Sequence, residues 1–309
     1  ASGGLLQPLN GPLPYGGNVA QLSGIGARSV VVSSDGQHVV YLADERIDVV
    51  YELFTAPADG SLPSQRVTPT MPIGPVLGDV YEYRVTPAGD LAVFRAASEV
   101  LGRAELYSAK LGSGASRVAL NVPLEPGDTV QEFDFSPTSA SVVYVVYSAT
   151  ERLSRLYVVP SAGGPSLLLA EQPYIGTLAV TPDGQRVAFV LYDPSATERL
   201  WSVRLDGSES PIGLDGGGLG GNGILFDAGG RIVYPSVDSD YVSRLFSVPA
   251  DGSAAPLELS TPPIVKGRYF SLRLNEARDT VLYAADHRVL NRIDLFVVPY
   301  QSTPLDLRA

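Results

Sequence analysis

Residues 179–208 read AVTPDGQRVAFVLYDPSATERLWSVRLDGS. Hydrophobic residues lie on both sides of Asp183-Gly184, and a further, alternating run begins at Leu200 and ends at Asp206-Gly207. An Asp-Gly dipeptide supplies the positive φ angle that a tight hairpin turn requires. The stretch therefore predicts consecutive antiparallel strands that are joined by tight turns.

The same pattern recurs six times along the chain. Each repeat begins with a strand, a tight turn and a second strand that ends in an aromatic residue, and these aromatics are about 50 residues apart. A leucine, an aromatic residue, an alternating strand and a polar turn follow in each repeat. The first aromatic set is Tyr41, Phe94, Tyr144, Phe189, Tyr234 and Tyr283. The second set is Phe54, Tyr107, Tyr157, Trp201, Phe246 and Phe296.

A fourth short strand follows the second turn of each repeat, and TPLDL near the C-terminus supplies it in the last one. Six repeats of four strands predict an all-β, six-bladed β-propeller with four antiparallel strands per blade. A parallel β-helix would have shorter turns, and a sandwich would not repeat so regularly. The predicted blades are residues 27–70, 80–120, 130–170, 175–214, 222–260 and 268–309, which together form one domain, 27–309.

Residues 1–26 precede the first blade as an N-terminal extension. The segment LLQPL within it is expected either to pair at the junction of the first and last blades or to form a loosely packed tail.

The repeats resemble those of the TolB-like six-bladed propellers, a WD-type repeat family. The matching elements are TPDGQRVAF and RLWSVRLDGS of blade four. This resemblance covers residues 27–309, the propeller part only, and implies the fold together with an extracytoplasmic location, periplasmic or secreted. The α/β domain that precedes the propeller in TolB has no counterpart in this sequence. The same repeats also occur in prolyl oligopeptidase-like peptidases, so the function stays open.

Composition excludes several classes of function. The chain has 22 basic and 33 acidic residues, a net charge of −11, and no cysteine. Nucleic acid is an unsuitable partner, because phosphate binding requires clustered lysine and arginine. Disulfides and thiolate metal sites are excluded. No apolar run approaches the ~20 residues of a membrane helix, so membrane insertion is not expected. We expect a monomer.

Charged residues inside the innermost strands are the candidate ligand-binding residues. Aligning the strand ends places Glu82 and Glu132 in one column, and Arg84, Asp134 and Arg273 in another. Charges are costly inside short inner strands unless they are paired or solvated. In one interpretation, Arg84 and Asp134 form a structural ion pair between adjacent blades. In the other, the five side chains face an axial channel and contact a ligand.

Metal and nucleophile chemistry has weaker support. The chain has two histidines, His38 and His287, which excludes a histidine-rich zinc site. Asp238 and Asp240 form the best local carboxylate pair for calcium, although no complete calcium loop surrounds them. No G-x-S-x-G nucleophile motif occurs, and we assign no catalytic residue.

The expected function is therefore non-catalytic, namely binding of a protein segment, peptide or glycan at the axial face with no required cofactor. Two alternatives remain open. The first is a carboxylate- or calcium-dependent hydrolase or lyase at the channel mouth. The second is the accessory propeller of a longer prolyl oligopeptidase-like peptidase.

Overall fold

The computed structural model describes residues 8–19, 30–69, 71, 78–98, 100, 102–112, 117–192, 198–214, 224–237, 242–260, 269–289 and 292–299. Every regular element in these ranges is a β-strand. None of the described residues forms a helix that is long and apolar enough to cross a membrane. The chain forms two compact units: residues 1–131, 138–151 and 159–166 make up the first, and residues 132–137, 152–158 and 167–309 the second.

Blades one and two lie in the first unit and are four-stranded sheets in which neighbouring strands follow one another along the chain. Blade one consists of β1 (Val30–Val32), β2 (His38–Ala43), β3 (Glu52–Pro57) and β4 (Gln65–Arg66). Blade two consists of β5 (Val80–Val85), β6 (Leu91–Ala96), β7 (Glu105–Lys110) and β8 (Arg117–Ala119).

Blade three has residues in both units and consists of β9 (Asp128–Phe135), β10 (Ser141–Ser148), β11 (Leu153–Pro160) and β12 (Leu167–Gln172). Blades four and five lie in the second unit and repeat the four-stranded order. Blade four consists of β13 (Ile175–Val180), β14 (Arg186–Tyr192), β15 (Glu198–Arg204) and β16 (Ile212–Gly213). Blade five consists of β17 (Leu225–Phe226), β18 (Arg231–Val237), β19 (Ser243–Pro249) and β20 (Leu257–Glu258).

Blade six has three described strands, β21 (Tyr269–Leu274), β22 (Thr280–Val289) and β23 (Arg292–Pro299). TPLDL, its expected outer strand, falls outside the described residues. The strand arrangement confirms the six-bladed β-propeller that the repeats predict. The division of the chain into one domain at 27–309 stays a prediction.

The two aromatic sets of the repeat meet across the second and third strands of the blades. Register pairs are Tyr41 with Phe54, Phe94 with Tyr107, Phe189 with Trp201, Tyr234 with Phe246, and Tyr283 with Phe296. Four of these pairs stack with ring centroids 4.9–6.0 Å apart. All six second-strand aromatics are buried. The repeated aromatic is therefore a core position, as its spacing predicts.

Neighbouring blades within each unit pack face to face. In the first unit Val40 and Leu42 of blade one share a core with Tyr83 and Phe94 of blade two. Serines of the third strands add hydrogen bonds between blades. Ser108 Oγ donates to the Ser161 carbonyl at 2.8 Å in the first unit, and Ser202 Oγ donates to the Ala250 carbonyl in the second.

The leucine of the Leu-aromatic motif distinguishes blade six from the other blades. In the first five blades it is fully buried, with an exposure of 0% at Leu53, Leu106, Leu156, Leu200 and Leu245. In blade six the corresponding Leu295 is 73% exposed, and Ile293 and Val297 on the same face of β23 are also exposed. One face of this strand is thus apolar and open, a difference that the repeat pattern does not predict.

Residues 8–19 of the N-terminal extension are anchored to blade one. Val19 forms an isolated antiparallel bridge with Ala43 at the end of β2. The buried Asp44 carboxylate accepts hydrogen bonds from the amides of Asn18 and Val49. Glu45 accepts a hydrogen bond from the Gly11 amide at 2.9 Å. The described part of the extension is therefore held in place, whereas most of LLQPL lies outside the described residues.

Candidate functional site

The inner strand of blade two places Glu82 and Arg84 on one face of β5, because residues two apart point to the same side of a strand. Arg84 Nη2 lies 2.7 Å from Glu82 Oε1, and Arg84 Nε donates to the same oxygen at 2.9 Å. The Arg84 side chain nevertheless keeps 41% of its surface exposed, and that of Glu82 keeps 15%. The pair is thus partly solvated.

A second arginine, Arg95, completes this cluster and was not singled out from the sequence. Arg95 lies opposite Glu82 in the register of β5 and β6, and its Nη2 is 3.9 Å from Glu82 Oε2. Arg95 Nη1 donates to the Val130 carbonyl at 3.0 Å, and the guanidinium lies 5.9 Å from the ring centroid of Tyr81. We call Tyr81, Glu82, Arg84 and Arg95 the blade-two cluster.

Asp79 lies immediately before β5, beside the blade-two cluster. Its Oδ1 accepts hydrogen bonds from the amides of Val80 at 2.9 Å and Tyr51 at 3.2 Å. Burial raises the pKa of Asp79 to about 6, although the two amides oppose this shift. Burial first, and then the Asp79 charge, raise the pKa of Tyr81, while Arg95 lowers it. Asp79 therefore titrates close to neutral pH.

We expect the pH dependence of stability to report this titration. The pKa of Asp79 is raised from 3.8 to about 6 in the folded protein, so folding favours the protonated carboxyl group. The stability that Asp79 contributes is therefore fully present below pH 4 and is lost as the pH rises through 6. Asp79→Asn keeps an oxygen acceptor and removes the charge. Asp79 is partly exposed, which reduces the effect of its charge on stability. At pH 7.5 the free energy of unfolding of the variant should exceed that of the native protein by about 1 kcal/mol, which raises Tm by about 2 °C. At pH 4 the two proteins should be nearly equal in stability.

Thermal melts of Asp79→Asn and the native protein at pH 4 and 7.5 test this expectation. Asp90→Asn, which alters an exposed turn carboxylate in the same blade, is the control. An equal change in Tm at both pH values for Asp79→Asn would show that the charge of Asp79 is not the cause.

Glu132 and Asp134 lie on β9, in the part of blade three that belongs to the second unit. Asp134 Oδ2 accepts a hydrogen bond from the Val180 amide at 2.8 Å and so links β9 to β13. Both side chains are partly exposed. The charge of Glu132 also acts on Tyr192 of blade four. The proposed pairing of Asp134 with Arg84 stays a prediction.

The remaining candidates lie elsewhere or outside the described residues. Arg273, on β21, is exposed, and its Nη1 donates to the Leu272 carbonyl at 2.9 Å. Asp238 and Asp240, the expected calcium pair, fall outside the described residues. Within the described ranges, no group of three or more potential metal-ligating side chains occurs. A calcium site thus stays an untested prediction.

Two exposed tyrosines lie at the end of blade four where β13 begins and β14 ends. The rings of Tyr174 and Tyr192 meet edge to face, with centroids 5.3 Å apart and planes at 73°. Tyr174 is 39% and Tyr192 is 37% exposed. The repeat pattern does not distinguish these two tyrosines, because their proximity depends on how the chain enters β13.

A cavity of about 430 Å³ lies at the opposite end of the strands in the second unit, between turns of blades four and five. Arg186, Arg231, Asp183 and Asp251 line it. Arg186 Nη1 is 2.9 Å from Glu209, and Arg231 Nε donates to Ser247 Oγ at 2.8 Å. These contacts hold both guanidiniums at the cavity wall, while the buried Arg186 Nη2 has no hydrogen-bond partner among the described residues.

His38 forms no recognisable catalytic group with the described residues. His38, at the start of β2, is partly buried, and its Nδ1 has no hydrogen-bond partner among the described residues. A Cβ atom added to Gly112 would lie 2.7 Å from His38 Nε2, so the ring packs closely against that turn. His287 lies within β22.

Comparison with known proteins shows the fold and leaves the family open. No family model matches the chain, and no curated protein does. Dipeptidyl peptidase 4 of Porphyromonas gingivalis is 12% identical with a TM-score of 0.64, over 91% of this chain and 46% of that one. The chain therefore spans less than half of that peptidase.

Two further solved structures are similar. An oligogalacturonate lyase from Vibrio parahaemolyticus is 12% identical with a TM-score of 0.56, over 91% of this chain and 78% of that one. A putative TolB from Agrobacterium tumefaciens is 18% identical with a TM-score of 0.45, over 76% and 80% of the two chains. At these identities the similarity to the peptidase and the lyase identifies a β-propeller and leaves the activity open.

Proposed function

We propose that this protein is a non-catalytic propeller that binds a protein segment, peptide or glycan through its inner strands. The observation that carries the proposal is the partly solvated ion pair of Glu82 and Arg84 on β5. Complete burial would cost this pair desolvation energy, whereas Arg84 keeps 41% of its side-chain surface exposed, and that surface is available for contact with a ligand.

The charges of the blade-two cluster fit a ligand that carries both signs. Glu82 presents a carboxylate, and Arg84 presents a guanidinium that retains exposed surface. Arg95 is held by the Val130 carbonyl and lies beside Tyr81, so the cluster is positioned before a ligand arrives. A peptide main chain, which offers donors and acceptors together, suits this arrangement better than a simple anion does.

Selection and titration test the proposal. A phage-displayed random peptide library and a glycan array are screened against the native protein, and the best ligand is titrated by calorimetry. We expect the double variant Glu82→Gln/Arg84→Gln to bind at least ~10-fold more weakly, since it loses two charge-assisted contacts.

Arg204 and Asp206 provide a matched control. They form an exposed ion pair with the same two-residue spacing and the same 2.7 Å separation, at a turn of blade four. Arg204→Gln/Asp206→Asn should leave the affinity unchanged. If both double variants bind like the native protein and remain folded, the blade-two cluster is not the binding site.

A carboxylate-dependent hydrolase or lyase is the second candidate, and Asp79 favours it. A carboxylic acid with a pKa of about 6 can exchange a proton near neutral pH, and the Asp79 charge acts on the neighbouring Tyr81. Turnover of oligogalacturonate, followed by absorbance of an unsaturated product and abolished in Asp79→Asn, would favour the lyase. If the native protein does not turn over oligogalacturonate, and if Asp79→Asn binds the selected ligand as tightly as the native protein does, the non-catalytic function is favoured.

The third candidate is the accessory propeller of a longer peptidase, which agrees with the partial coverage of dipeptidyl peptidase 4. The sequence of the complete gene decides this question directly. We further propose an extracytoplasmic location, on the basis of the repeat resemblance, and a monomeric state. Nucleic acid is not a proposed partner, because the net charge of the chain is −11.

A further inference from the structure

Tyr174 and Tyr192 form a fixed aromatic corner in the second unit. The Tyr192 amide donates to the Tyr174 carbonyl at 3.1 Å, which ties the end of β14 to the residue before β13. The two rings are close to perpendicular, at 73°, so they provide two walls and not one flat platform. More than a third of each residue remains exposed, which leaves these walls accessible.

Gly176 determines where the Tyr192 ring lies. A Cβ atom added to Gly176 would be 2.2 Å from Tyr192 Cε2, so the ring rests directly on the glycine backbone. The register of β13 and β14 shifts between Ile175 and Leu178, which places Gly176 in an irregular part of the inner strand. This glycine is thus required for space, because any larger side chain would displace the ring.

Two carboxylates act on the same corner. Glu198 lies directly opposite Tyr192 in the register of β14 and β15, and both residues therefore project from the same face. Burial, followed by the charges of Glu198, Tyr174 and Glu132, raises the pKa of Tyr192. The corner therefore combines two aromatic rings with two negative charges from different strands.

We propose that this corner, formed by Tyr174, Tyr192 and Glu198 with Glu132 of β9 contributing its charge, binds an organic cation, either an ammonium or a guanidinium group. Aromatic ring faces attract cations electrostatically, and nearby carboxylates strengthen that attraction. The same carboxylates repel anions, and the perpendicular rings do not form the flat surface on which a sugar ring stacks. The corner shares no residue with the blade-two cluster.

The test uses protein labelled with 3-fluorotyrosine and followed by fluorine NMR. Resonances of the two rings are assigned with Tyr174→Phe and Tyr192→Phe. The probes are tetramethylammonium, N-acetyl-lysine methylamide and N-acetyl-arginine methylamide, with tert-butanol as a neutral compound of similar shape. We expect saturable shifts of both resonances with the cations and none with tert-butanol. Saturation by tetramethylammonium alone indicates a small free ammonium, and preference for the amino-acid amides indicates a peptide side chain.

Variants identify the groups that bind the cation. Tyr192→Leu should weaken binding by about 3- to 10-fold, the effect of losing one cation–π contact. Glu198→Gln and Glu132→Gln should each weaken it, and Gly176→Ala should weaken it while all four side chains remain. The controls are Tyr15→Leu, which removes a fully exposed tyrosine of the first unit, and Glu276→Gln, which neutralises an exposed turn carboxylate.

Three outcomes would overturn the proposal. The first is the absence of a saturable shift with any of the three cations in folded protein. The second is an equal response to tert-butanol, which would show a merely apolar contact. The third is native-like affinity in Tyr192→Leu and Gly176→Ala. None of these outcomes affects the peptide titration with Glu82→Gln/Arg84→Gln, so the two proposals fail independently.

Discussion

Leu200→Ala should destabilise the protein by about 2–5 kcal/mol, the usual cost of truncating a fully buried leucine. Leu200 is the leucine of the Leu-aromatic motif in blade four and has no exposed surface. It shares a core with Leu214 of its own blade and with Phe226 and Ile232 of blade five. The alanine would leave a cavity between two sheets that pack face to face, and such layers relax only in part.

Urea unfolding followed by far-ultraviolet circular dichroism measures this loss. Leu62→Ala is the matched control, since it deletes the same atoms from a residue that is 59% exposed in a turn of blade one. The control should change the free energy of unfolding by less than ~0.5 kcal/mol. A similar loss in both variants would contradict the packing of blade four against blade five.

Asp44→Ala should cost about 2–3 kcal/mol and release the N-terminal segment from blade one. The Asp44 side chain is fully buried, and its two oxygens accept hydrogen bonds from the amides of Asn18 and Val49. Removing the buried carboxylate takes away the acceptor of both amides, and hydrogen bonds to charged groups are the strongest of these contacts. Val49 also has a positive φ of 62°, a conformation that this bond helps to hold.

Chymotrypsin cleavage measures release of the segment, because Tyr15 is fully exposed at the tip of its turn. We expect cleavage at Tyr15 to become at least ~10-fold faster in Asp44→Ala, in proportion to the lost local stability. Asp59→Ala, which removes an exposed turn carboxylate of blade one that is bonded to the Ser61 amide, is the control and should cleave at the native rate. Equal rates in all three proteins would mean that Asp44 does not anchor the segment.

The fold could be predicted from the sequence because the residues of each repeat determine how the strands of that blade pair with one another. Tyr41 and Phe54 illustrate this, since both were identified as repeat positions and they stack across β2 and β3. Asp-Gly turns identify the hairpins, and Gly36 and Gly184 have the positive φ that such turns need. Local turn chemistry and hydrophobic alternation therefore determine the architecture without knowledge of distant contacts.

The candidate sites were harder to predict because they depend on contacts between strands. Arg95 joins Glu82 only through a register that shifts between Val80 and Glu82. The raised pKa of Asp79 results from burial, which the residue type does not reveal. The Tyr192 ring occupies the space that a side chain at Gly176 would fill. Inner-strand alignment identified Glu82 and Arg84, whereas these three depend on tertiary packing.

The most direct test of the proposed binding function is a crystal structure of the protein with the selected peptide bound. We predict that the peptide lies along β5, with hydrogen bonds to the Glu82 carboxylate and to the Arg84 guanidinium, whose side chain is 41% exposed. A peptide bound instead in the cavity between the turns of blades four and five, with Glu82 and Arg84 untouched, would contradict it.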